Sequence, residues 1–163
     1  MMAALETAAL WAAALGTGVM AGVYFTFSAF VMRALASLPR GQGAAAMNAI
    51  NRVIVASPFM VLFFGTTTLG LGLAIAGWSR GAAPGSGALL GGGLIYVVGM
   101  FVSTAAFNVP LNDALAAADP ESQAGDEQWA RYLRDWTQWN HARTVASLLA
   151  CALFVLALTA KAA

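Results

Sequence analysis

Trp129 to Arg143 reads W-A-R-Y-L-R-D-W-T-Q-W-N-H-A-R, and an uncharged apolar run, Thr144 to Ala160, follows it directly. This stretch brings three of the five tryptophans, the only histidine and an arginine to the edge of a segment fit to cross a membrane. At about 100° per residue, Trp129, Tyr132, Trp136, Trp139, Asn140, Arg143 and Ser147 fall on one helical face. His141 lies off that stripe, about 100° round from Asn140. No proline or glycine interrupts residues 129–163, so a single helix is expected to carry the stripe into the span. Such a wall is aromatic, amide-bearing and cationic at once. It suits either a flat, polar-edged organic molecule or a membrane-interface belt.

Composition places the rest of the chain in a bilayer. Of its 163 residues, 60% are hydrophobic and 9% charged, and the mean hydropathy is +0.74, far from soluble composition. A net charge of +1, with the charges in loops, provides no basic field for nucleic acid. The one cysteine, Cys151, sits in an apolar run, which rules out an internal disulfide, a CxxC redox pair or a cysteine zinc site. It reads as a small buried hydrophobe. The N-terminal apolar run has no Lys or Arg ahead of it, so it is expected to be a retained span and not a cleaved leader.

The expected fold is all-α, a four-helix transmembrane bundle forming one domain over 1–163, with spans near 8–32, 53–78, 87–107 and 139–160. Runs free of Lys, Arg, Asp and Glu cover the first three, each long enough for the roughly 20 residues a bilayer requires. The fourth borrows length from Trp139 to Arg143, with Arg143 expected to snorkel to the interface. S-R-G-A-A-P-G-S at Ser79 to Ser86 is a tight turn between spans two and three. Arg33 to Arg52 and Asn108 to Arg143 are longer connections, and four spans put both on one side. Short amphipathic helices are expected within them, one at Gln42 to Arg52. Six arginines on that side against Arg80 and Lys161 on the other predict long loops in the cytoplasm, in a bacterial cytoplasmic membrane. Gly18/Gly22 and Gly87/Gly91 are GxxxG spacings that permit a homo-oligomer.

Chemistry-bearing residues gather on the long-loop side. In Asn108-Val109-Pro110-Leu111-Asn112, proline biases Val109 away from helix, so span three is expected to end near Asn108 and a short helix to start near Pro110. Asn108 and Asn112 then serve either the loose backbone groups of that corner or a ligand. Tyr24, Phe25, Phe27 and Phe30 read as bundle packing or interface anchors. His141, whose ordinary pKa is about 6.5, is the leading base candidate, against a histidine satisfied among headgroups. No metal site is suggested by one histidine without cysteine partners. No haem attachment motif occurs, which leaves haem held by His141 and a methionine as an open alternative, and GxSxG is absent.

Four motifs, G-V-Y-F-T-F-S-A-F-V-M at Gly22 to Met32, M-N-A-I-N-R at Met47 to Arg52, N-V-P-L-N at Asn108 to Asn112 and W-T-Q-W-N-H-A-R at Trp136 to Arg143, together resemble the anthrone-oxygenase-like family of small four-span membrane proteins. The resemblance implies oxygen insertion into an anthrone-like tricyclic phenol, with O2 and the hydrophobic aromatic substrate as partners. No cofactor is then required, because an anthrone's acidic methylene yields a stabilised carbanion able to pass an electron to O2. On that reading His141 accepts the proton, and Asn140, Asn108 and Asn112 donate to the developing oxyanion. Trp136 and Trp139 stack on the rings, and Arg143 stabilises negative charge. The competing reading is a non-catalytic membrane module that binds lipid, quinone or a partner subunit. A transporter is weaker, lacking an intramembrane carboxylate or broken helix.

Overall fold

The computed structural model describes residues 2–162, with side chains from 4 to 160; Lys161, counted in the charge asymmetry, lies outside the described side chains. Among the described residues every regular element is helical. Helix α1 comprises Met2–Thr26, a π turn Phe27–Val31 and a last α turn Met32–Ala36. Helix α2 is Gln42–Ile54 and α3 is Phe59–Ser79. Helix α4 comprises Ser86–Tyr96, π turns Val97–Val102 and Thr104–Asn108, and an α-helical end Val109–Ala117. Helix α5 is Gln123–Ala162, without a break. Four of them, α1, α3, α4 and α5, are long and apolar enough to span a membrane. This is an integral membrane four-helix bundle, with α2 the short amphipathic helix beside it.

Neighbours around the bundle run α1, α5, α4, α3 and back to α1. Leu10, Met20, Tyr96, Met100, Ala150 and Phe154 fill its centre. A second cluster, in which Met47 of α2 joins Met32, Leu111, Leu115, Tyr132 and Trp136, closes the α2 end. The outside is apolar too, with Val61 78% and Trp78 77% exposed, as expected where lipid is the solvent.

One helix end differs from the sequence expectation. Helix α4 does not stop near Asn108 but continues to Ala117, and α5 begins at Gln123, so the long second connection shrinks to residues 118–122. Proline breaks a helix by lacking a donor and crowding an earlier carbonyl. Here Pro110 falls at the start of a new α-helical stretch, directly after a π turn, where neither cost arises. Helix α5 starts where Ser122 Oγ accepts from Gly125 N at 3.0 Å, a side-chain N-cap. Nearby, Arg40 pairs with Asp126 at 2.7 Å. That hydrogen-bonded carboxylate holds the exposed guanidinium above its ordinary pKa and tethers the α1–α2 loop to the head of α5, although water screens the pair.

Helices α3 and α4 meet through glycine. A methyl on Gly77 would lie 2.6 Å from Leu90 N, and one on Gly93 would collide with the Gly70 carbonyl. Beside this contact Thr66 Oγ1 and Tyr96 Oη share a buried 2.6 Å hydrogen bond. By contrast Gly22 and Gly87, from the two GxxxG spacings, meet nothing within 4 Å. Gly93→Leu should therefore destabilise the bundle by about 1–3 kcal/mol or more through overpacking, whereas Gly87→Leu should be tolerated. Thermal unfolding of both variants in one detergent checks this.

Candidate functional site

The three π turns, Phe27–Val31, Val97–Val102 and Thr104–Asn108, all contact α5. Asn140 has no exposed surface. Its Nδ2 donates to the Tyr24 carbonyl and to Ser28 Oγ, both at 2.6 Å, at the entry to the α1 π turn. Its Oδ1 accepts from Arg143 Nη2 at 2.8 Å. The amide expected to greet a ligand is thus consumed by the fold, as a clamp between α1 and α5.

Arg143 does not snorkel. It is 5% exposed and turns inward, because its face of α5 is the one that meets α1 and α4. Its guanidinium lies 4.5 Å from the Tyr24 ring centre and 5.0 Å from that of Trp136, distances at which ring faces attract a cation. Nη1 reaches Thr104 Oγ1 at 3.5 Å. Amide orientation is assigned from neighbours. With Asn108 Oδ1 facing the donors it accepts from Arg143 Nη2 at 3.2 Å and Trp136 Nε1 at 3.3 Å; the opposite orientation donates only to the Trp136 carbonyl at 3.3 Å, so we adopt the former. Among the described residues no carboxylate pairs with Arg143, and its Nε has no partner.

This guanidinium borders a cavity of about 300 Å³. Phe27, Phe59, Met60, Phe63 and Phe101 form apolar walls, Trp136, Tyr24, Thr104, Asn108 and Arg143 the inner end, and Met47, Ile50, Asn51 and Ile54 of α2 the cap. Asn112 lines it as well and accepts from the buried Tyr132 hydroxyl at 2.7 Å. Two more buried polar atoms of the lining, Tyr24 Oη and Asn51 Nδ2, make no hydrogen bond of regular geometry. A cavity ending in donors and a full positive charge offers its strongest interaction to an oxygen carrying negative charge.

Of the residues singled out from sequence, Asn108, Asn112, Trp136 and Arg143 come together around the cavity, and Asn140 braces them from behind. His141 and Trp139 do not join them. His141 is exposed, on an outer groove with Leu94, Val98, Val145 and Leu149, because one residue's rotation from the buried Asn140 points it toward lipid. Trp139 stacks on Phe107 at 3.6 Å beside Arg131 and Asp135, on the outer shoulder of the bundle. Among the described residues no three of His, Cys, Asp or Glu cluster.

Sequence reading passed over Asn51 and Thr104 as cavity residues, and treated Tyr24 and Phe27 as packing or interface anchors. The four aromatics near the end of α1 in fact divide. Tyr24 and Phe27 face the cavity, while Phe25 and Phe30, both 60% exposed, face outward.

Fold and site together define a small four-span membrane protein with an aromatic-walled cavity closed at its inner end by a buried arginine. The family model for anthrone oxygenase matches residues 59–153, more than half of the chain, and the chain belongs to that family. No curated protein and no solved structure matches it. Helices α1 and α2, which supply Tyr24, Phe27 and the cap, lie outside the matched segment.

Arg143→Met removes a buried charge that has a desolvation cost but leaves the Asn140 and Asn108 oxygens without that donor. The two effects oppose each other, so this variant should unfold close to wild type when no ligand is added. Asn140→Ala should unfold lower, because it strands several buried polar groups at once. Thermal scans of the two purified variants in one detergent check the contrast.

Proposed function

We propose that this protein is a membrane-embedded oxygenase that takes an anthrone-like or related hydrophobic aromatic substrate and oxidises its activated methylene with O2. The observation that carries the reading is Arg143, a buried guanidinium without a carboxylate at the inner end of an aromatic-walled cavity. Loss of a proton from an anthrone methylene places charge on the ring-ketone oxygen. Arg143, held by Asn108 and Asn140, is positioned to stabilise that oxygen in a site of low dielectric. The methylene proton passes to a water molecule; electron transfer to O2 and radical recombination give a peroxide anion, which takes that proton back to become a hydroperoxide, and its loss of water leaves a carbonyl. One O2 enters, one water leaves, and no external reductant is consumed. Trp136, Phe27 and Phe101 offer ring faces to the substrate, and Asn112 and Asn51 lie at the α2 end of the same cavity. The arginine asymmetry supports a cytoplasmic placement for that end.

None of the residues lining the cavity is Asp, Glu, His or Lys. On this reading the site acts by stabilising the anion and not by supplying a strong base. The same observation favours a second reading, a module that binds a quinone-like or lipid-derived anion without turning it over.

Oxygen uptake with an anthrone panel, in lipid nanodiscs under air, separates the two. Arg143→Met should lower kcat/KM by about 10²–10³-fold, the range for loss of an oxyanion donor. His141→Gln should stay within a small factor of wild type. Substrate binding without oxygen uptake would favour the module, and a hundred-fold loss in His141→Gln would return that residue to the chemistry.

A further inference from the structure

Resting on the reading that the cavity holds a hydrophobic aromatic ligand, we propose that the ligand enters sideways from the bilayer, between α3 and α4, and that Phe64 sets the width of the passage. The ligand class is then one that dissolves in hydrocarbon and moves edge-on as a flat ring system.

Three observations converge. Helices α3 and α4 are locked together at Gly77 and Gly93, and their contact is sparse once α4 enters its π turns, so they part toward the cavity end. On α3 and α4 the lining residues with the greatest exposure are Phe64 at 53% and Val109 at 43%, together with the exposed Ala105. All are apolar, which suits acyl chains and not water. Toward the aqueous side the cavity is instead roofed by α2, whose Met47 is 1% exposed and packs with Tyr132 and Trp136 in the second core cluster. Phe64 occupies both environments. It lines the cavity, and its ring stands edge-on to that of Phe101 at 6.2 Å, an aromatic contact that side-chain rotation can break and remake.

The test uses 9-anthracenecarboxylate as probe, with the protein in lipid nanodiscs, and follows quenching of tryptophan emission by stopped flow. Phe64→Ala should raise the association and dissociation rates together by about five-fold or more, a parallel rise that the loss of a wall contact, which acts on dissociation, would not give. Ala105→Phe should slow both. Arg40→Ala, which frees the loop ahead of α2 from Asp126, should change neither. Rates that ignore position 64 and 105 but rise in Arg40→Ala would overturn the lateral route in favour of entry beneath α2. Wild-type protein that fails to bind the probe would overturn the ligand-site reading and the route with it. If the rates respond as expected while no anthrone supports oxygen uptake, the route stands and only the oxygenase reading falls.

Discussion

A guanidinium buried in a membrane bundle without a carboxylate is the constraint around which this structure is arranged. Removing a cation from water costs several kcal/mol even after relaxation. The chain meets that cost with neutral groups: the oxygens of Asn140, Asn108 and Thr104 and the faces of Tyr24 and Trp136. Neutral partners stabilise the charge without cancelling it. A carboxylate in the same place would have made a better-satisfied core and a site with no pull on an anion.

Around that arrangement the backbone departs from the regular α-helix. Asn140 reaches the Tyr24 carbonyl where α1 passes into its π turn, and Asn108 ends a π turn of α4. A π turn inserts a residue into the helical register, so side chains beyond it face a new direction while the rod continues across the membrane. On α1 the offset follows Tyr24; on α4 it delivers Thr104 and Asn108 to the same arginine. It also lets Pro110 sit inside a continuous rod. The cavity is thus a consequence of helices that change register without breaking.

The divided roles along α5 show how narrow the margin is. Asn140 and Arg143 are buried, and His141 and Trp139, next to Asn140 on either side, face outward. The most reactive side chain of the motif therefore stands outside the cavity, and the arginine borders it.

Four spans, a short amphipathic helix at Gln42 to Arg52, an unbroken α5 and the common face of Tyr132, Trp136, Asn140 and Arg143 were all legible in the sequence. Each follows from local properties of one segment: hydropathy over a bilayer's thickness, the absence of breakers, and a fixed rotation per residue. Family membership was legible for a similar reason, in short motifs that stand in the chain whatever surrounds them. The inward turn of Arg143, the outward turn of His141 and the recruitment of Tyr24, Asn51 and Thr104 were decided only by the tertiary structure. A helical pattern says which residues share a face but not what that face meets, and in lipid both faces of a span are apolar enough for either side to be the inside. Packing against α1 and α4 chose the side. That packing brings together segments distant in the chain, and no local spacing records it.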